Sequence, residues 1–229
     1  MSSEEVVLQT QRLGRVARRH PSAFLLAAQL LSLILYPLMD ETHSGRLLFG
    51  ALGLVVVPLA VWVVRRSPSA NAIAWLLAIP AIVLTGIAVL FEQAALLPWS
   101  AVLEAALYFY AAYGLISYML HDHKVTADEF FAAGATFTLL GWGFAYAYFA
   151  CQVWYPGSFV GLVEPERPRD WMELLFLSFT NLSATGLGDV LPISSQARAL
   201  AILEQCAGVG YVAIVVSRLI GLSIARERS

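Results

Sequence analysis

The chain has 229 residues, 59% of them hydrophobic and only 13% charged, with a formal net charge of −2 and a mean hydropathy of +0.71. A soluble domain of this length carries far more polar surface, so the composition excludes a soluble enzyme fold and implies extensive membrane embedding. The charge balance supplies no basic footprint for nucleic acid, and Cys151 and Cys206 lie in apolar runs without zinc spacing, which reads as buried, inert thiols.

Residues 1–20 form a cytoplasmic N-terminal segment. Within it Val6 to Arg19 reads either as an amphipathic helix on the inner leaflet or as a polar tail. A bilayer core needs about 20 apolar residues per helix. Five runs meet that length: Pro21 to Met39, Leu47 to Val64, Ala70 to Phe91, Ala101 to Leu120, and Phe130 to Tyr155. Arg15, Arg18 and Arg19 precede the first run as in a secretory signal. No small-residue cleavage site follows at Pro37-Leu38-Met39-Asp40-Glu41-Thr42, so the run is kept as a mature helix. The fourth run contains no Lys or Arg and one acid, Glu104, which reads as a snorkelling or hydrogen-bonded structural group. After it come His121, Asp122, His123 and Lys124, a solvated loop by default, with pH sensing or metal binding as the alternative. A sixth run, Ala197 to Ile224, is longer and carries Glu204 and Arg218.

With both termini in the cytoplasm, ten of the 14 basic residues lie inside: Arg12, Arg15, Arg18, Arg19, Arg65, Arg66, Lys124, Arg218, Arg226 and Arg228. Arg46, Arg167, Arg169 and Arg198 remain outside, the asymmetry that cytoplasmic termini require. The expected fold is an all-α membrane protein with six transmembrane helices, multi-pass in the inner (plasma) membrane.

One segment does not suit a plain bundle. Pro156-Gly157-Ser158 ends the fifth helix, and a charged, proline-bearing stretch follows to Asp170. Asp170-Trp171-Met172-Glu173 has the spacing of a capping box. Trp171 to Leu182 is apolar but too short to span, the length of a re-entrant half-helix. Ser183-Ala184-Thr185-Gly186-Leu187-Gly188-Asp189 comes next. Irregular backbone at membrane depth is tolerated only where it is buried in protein or lines a wet cavity. Glycine adopts φ > 0 without steric cost, and alternating glycines let successive carbonyls turn to one side. Such a strip replaces the hydration shell of a cation. The half-helix directs its C-terminal end, about −0.5 of an elementary charge, toward the same point. Residues 170–192 therefore read as a cation-coordinating pore loop.

Ser178-Phe179-Thr180-Asn181-Leu182-Ser183-Ala184-Thr185-Gly186-Leu187-Gly188-Asp189 resembles the pore helix and selectivity filter of potassium channels of the tetrameric cation-channel superfamily, whose usual filter reads Thr-Val-Gly-Tyr-Gly-Asp. The resemblance runs from Phe130 to Ile224, and the inner helix is also similar to that of bacterial six-transmembrane members. It implies K⁺ coordination by the backbone carbonyls of Ala184, Thr185, Gly186 and Leu187, with Gly188 completing the filter. Asp189, Thr180 and Ser183 are implied to support the filter. The sequence departs from the family at Ala184, which removes a ring of threonine hydroxyls, and at Leu187, where the family has tyrosine.

The domains expected are a four-helix transmembrane domain over 21–124, resembling a voltage-sensor domain without gating charges, and a pore domain over 125–229. Gly208 and Gly210 are candidate gating hinges, with close helix packing as the alternative. Glu204 is a candidate pore-domain acid, bracing the pore or serving as a proton-sensitive gate. With few residues after Gly221, no nucleotide- or calcium-binding domain is expected there. One pore loop per chain cannot surround an ion, so a homotetramer in the lipid bilayer is required. The expected function is a passive potassium channel not gated by a charged fourth helix, with monovalent cations as its partners, K⁺ ions in the filter and no other cofactor. The alternatives are a non-selective monovalent cation channel and a non-conducting scaffold subunit with a degenerate filter. No acid–base pair or nucleophile arrangement points to an enzyme.

Overall fold

Helix boundaries follow the apolar runs. The computed structural model describes residues 21–40, 68–121 and 126–227; the N-terminal segment, the run Leu47 to Val64, and Asp122, His123 and Lys124 lie outside the described residues. Helices α1 (Pro21–Asp40) and α2 (Pro68–Leu90) both open on proline, whose missing N–H is harmless at a first helical position. A 3₁₀ turn at Ala94–Leu96 leads into α3 (Leu97–His121). Helix α4 (Ala127–Trp154) carries Asp128 and Glu129 in its first turn, where carboxylates complement the helix dipole. It stops ahead of Pro156 and of Gly157, which takes φ +79°. A short helix α5 (Trp171–Leu182) precedes α6 (Ser195–Tyr211), a π-helical turn (Val212–Val216) and α7 (Ser217–Glu227).

Among the described residues three helices are long and apolar enough to cross a membrane: Ala94–His121, Ala127–Trp154 and Ser195–Ile224. Within α1 and α2 the stretches Pro21–Tyr36 and Ala72–Ala88 are apolar as well. The protein is thus a mostly helical membrane protein. The all-α expectation missed one feature, an antiparallel ribbon of β1 (Phe159–Gly161) and β2 (Val190–Pro192) that pairs Phe159 with Pro192 and Gly161 with Val190.

Helix α4 is the axis of the fold. Helix α3 lies antiparallel along it, so that Trp99 near the start of α3 meets Trp154 at the end of α4, ring centroids 5.2 Å apart. Phe109 meets Phe144 at 4.9 Å, and Tyr108 stacks on Tyr146 at 5.6 Å. Helix α1 runs parallel to α4. Asp128 accepts from the Ser22 N–H (3.1 Å) and hydroxyl (2.9 Å), and Thr138 donates to Gln29 (2.6 Å). Small residues let these neighbours close in: a Cβ on Gly134 would stand 2.9 Å from Leu26, and one on Gly143 2.8 Å from Phe109. Helices α1 and α3 therefore pack on α4 of their own chain. Glu104 has the hydrogen-bonded structural role: Thr85 of α2 donates to it at 3.1 Å, and Tyr146 of α4 bonds the same carboxyl. Of the two thiols expected to be buried, only Cys151 is. Cys206 is exposed on α6, on a face that no other described residue covers.

Candidate functional site

The site is built from α5, the loop after it, the ribbon and α6. Helix α5 begins on a complete capping box: the Asp170 carboxylate accepts the Glu173 N–H at 2.8 Å, and Glu173 accepts the Asp170 N–H at 2.7 Å. Asp170→Ala is expected to cost about 1 kcal/mol of stability, read as a lowered melting temperature of the purified protein in lipid. An unchanged melt would mean that this cap bears no load.

Above α5 the loop 162–169 is held by one buried side chain. The Arg169 guanidinium donates to the carbonyls of Val163 (3.3 Å), Glu164 (2.6 Å) and Arg167 (2.9 Å), and reaches the Glu173 carboxylate at 3.4 Å. Gln152, near the end of α4, bonds both the N–H and the carbonyl of Arg169, at 2.7 and 3.0 Å. A Cβ on Gly161 would fall 1.9 Å from Arg169 Nη1, so a side chain there would have to displace the guanidinium. Arg167 is exposed instead, pairing with Glu164 at 3.2 Å and Glu173 at 2.8 Å. By sequence both arginines are outside charges. No local signal separates them, since only the fold buries one.

Residues 183–189 are all exposed in the single chain. Gly186 takes φ +65°, as glycine there allows, but the second left-handed position is Ala184 (φ +56°) and not Gly188. A side-chain-bearing residue in that region costs about 1–2 kcal/mol, so the surrounding bonds must hold it. The Ala184 N–H donates to the Asn181 carbonyl at 3.0 Å, and the bonds after it converge on one oxygen. The Thr180 carbonyl accepts the N–H groups of Thr185 (3.0 Å) and Gly186 (3.2 Å) and the hydroxyls of Thr185 (3.2 Å) and Ser183 (3.3 Å). The Thr180 hydroxyl itself donates back to Leu177 at 2.9 Å. Thr180 and Ser183 thus bear directly on the loop, Thr180 through its main chain. Asp189 is exposed and is tied by its backbone, its carbonyl accepting the Leu162 N–H at 2.9 Å. Ile193 N–H to the Ser158 carbonyl (2.9 Å) closes the other side of the ribbon. Leu187 stands 69% exposed.

Behind α5 lies Glu204, wholly buried. It is hydrogen-bonded to Tyr148 of α4 and Ser178 of α5, and so joins three helices. Gly208 comes against the end of α5, where a Cβ would stand 1.9 Å from the Leu182 carbonyl oxygen. A Cβ on Gly210 would meet no described atom within 4 Å beyond its own stretch of helix. Gly208 therefore has a packing reason. The irregularity of the inner helix lies beyond both glycines, at the π-helical Val212–Val216, just after Tyr211 anchors its hydroxyl on the Ala133 carbonyl at 2.7 Å. Such π turns recur at functional positions in helices. Among the described residues no group of three or more His, Cys, Asp or Glu side chains is placed to hold a metal ion; His121, the described member of the histidine pair, is exposed at the end of α3.

No curated protein and no solved structure matches the chain. A family model described as ion channel matches residues 105–223, more than half of the chain. That segment opens on α3, passes through α4, α5, the loop and the ribbon, and ends within α7, taking in every element of the site. The chain belongs to the ion channel family.

Proposed function

We propose that the chain is one subunit of a homotetrameric, passive, potassium-selective channel with six transmembrane helices, in the inner (plasma) membrane with cytoplasmic termini. The observation that carries the reading is the loop after α5. Its left-handed residues alternate, Ala184 and Gly186, and the N–H groups of Thr185 and Gly186 are turned back onto the Thr180 carbonyl. An alternation of backbone hand brings successive carbonyls to one side, and with Thr185 and Gly186 N–H groups engaged, the carbonyls of Ala184, Thr185, Gly186 and Leu187 are left for K⁺. Their exposure in a single chain suits a loop that meets three copies of itself around an axis. Conduction needs no covalent chemistry: the oxygens stand in for water around the ion. Helix α3 carries no Lys or Arg, so it offers no gating charge to a voltage.

Bi-ionic reversal potentials of the purified protein in bilayers test this. A preference for K⁺ over Na⁺ of at least about tenfold, corresponding to about 1.4 kcal/mol, is expected. Ala184 supports a second reading, a non-selective monovalent cation channel, because the innermost position has no hydroxyl to add to its carbonyl. Equal K⁺ and Na⁺ permeability would select that reading. No barium-sensitive flux from proteoliposomes would select a non-conducting scaffold.

A further inference from the structure

The cluster around Glu204 contains more contacts than its hydroxyls have protons. Ser178 Oγ lies 2.7 Å from the Gly141 carbonyl and is also hydrogen-bonded to Glu204 Oε1. Tyr148 is hydrogen-bonded through its hydroxyl to Glu204 Oε2. A carbonyl only accepts, and so does an ionised carboxylate, while serine and tyrosine bring one proton each. Three contacts therefore share two hydroxyl protons. The Asn181 amide donates to the Tyr148 oxygen at 3.2 Å and also bonds the Glu204 carboxyl, but neither contact brings a proton to Ser178, and its Oδ1 accepts from Gln205 Nε2 at 3.5 Å. With Glu204 ionised, one of the two Ser178 contacts sets lone pair against lone pair. With a proton on Oε1 the bonds run in one direction. Glu204 donates to Ser178 and Ser178 to Gly141, while Asn181 donates to Tyr148 and Tyr148 to Oε2.

The surroundings agree with the count. Helix α4 presents Tyr148 with Cys151 near it, α5 presents Ser178 and Asn181, β2 presents no titratable side chain, and Gln205 beside it on α6 is neutral. None of the ion pairs found among the described residues includes Glu204. A buried carboxylate without a cation is far less stable than the corresponding acid.

We propose that Glu204 is a neutral carboxylic acid, and that its proton makes it the positioning residue tying α6 to α5 and, through Ser178, α5 to α4. When the proton leaves, Ser178 must turn from Gly141 to the new anion, and α5 loses that tie to α4 two residues before Thr180, the anchor of the loop. Conduction then falls as the acid ionises at alkaline pH. The conduction half of this proposal rests on the channel reading above; the protonation half does not.

Infrared spectra of the purified protein in lipid at neutral pH, wild type minus Glu204→Gln, read the protonation directly. A protonated-carboxyl C=O band, shifted in D₂O and lost in the variant, is expected; its absence overturns the proposal whether or not the protein conducts. Flux from proteoliposomes reads the rest. The Gln amide can donate to Ser178 and accept from Tyr148, so Glu204→Gln should stay within about twofold of wild type and lose the alkaline decline, whereas Glu204→Ala leaves the Tyr148 hydroxyl without its acceptor and should lose about tenfold or more. Glu204→Gln as impaired as Glu204→Ala, or an alkaline decline that survives Glu204→Gln, overturns the positioning role. Should Glu204→Ala fail to assemble, the spectrum and the Gln variant decide alone.

Discussion

Gly208→Ala abolishes ion flux and weakens assembly, whereas Gly210→Ala leaves both near wild type: this is the largest contrast expected from two glycines two residues apart. At Gly208 the added methyl would lie 1.9 Å from the Leu182 carbonyl oxygen, 2.7 Å from its carbon and 3.0 Å from its Cα. All three are backbone atoms at the end of α5, so no rotamer change relieves the clash. The inner helix or the end of α5 has to move by more than an ångström, and Ser183, the first residue of the loop, moves with Leu182. Overpacking of this kind typically costs about 1–3 kcal/mol, and here the displaced element is the base of the proposed filter. At Gly210 a methyl meets no described atom within 4 Å beyond its own stretch of helix, and alanine is about 1 kcal/mol the better helix former. Flux from proteoliposomes and the oligomer's retention on size exclusion measure both. If the two variants behave alike, the contact of Gly208 with Leu182 is not what keeps that position glycine.

The second large effect is expected outside the helices, at Arg169. Arg169→Met keeps much of the apolar stem but removes donors from three carbonyls and from the Glu173 carboxylate. Leaving such acceptors without their donor typically costs about 1–3 kcal/mol, while Glu173 keeps its pair with Arg167. Arg169→Lys should recover little of it, because an ammonium is a point charge and cannot match the fork that spans Val163, Glu164 and Arg167. Arg167 is the internal control. Its side chain is 41% exposed, and its ion pairs are of the surface kind, so Arg167→Ala should cost about 0–1 kcal/mol. Thermal melts in lipid nanodiscs separate the two. Equal losses at both positions would refute the distinction between a buried clamp and a solvated pair.

Much of the fold was legible in the residues. Apolar runs of spanning length fell within about four residues of the five described helices they predicted, because hydropathy and length are sufficient to specify a helix in lipid. The capping box at Asp170 and Glu173 was legible for a similar reason: its donors and acceptors lie three residues apart. The alternation of Gly186 and Gly188 pointed to the loop, but it misplaced one of the left-handed residues. Ala184 takes that conformation because bonds to Thr180 and Asn181 surround it, not because of its own chemistry.

What local pattern determined, then, was where helices begin and end, which segment is too short to span, and where the irregular backbone lies. Tertiary structure alone decided which of two arginines is buried, which of two glycines touches α5, and which helices Glu204 joins. Its partners Tyr148 and Ser178 are 56 and 26 residues away, and neither carries a mark that would single it out. The physical reason is range. Helix and cap bonds close within a few residues and are written in sequence spacing, whereas close packing and proton sharing depend on which side chains the folded chain happens to bring within 3 Å of one another.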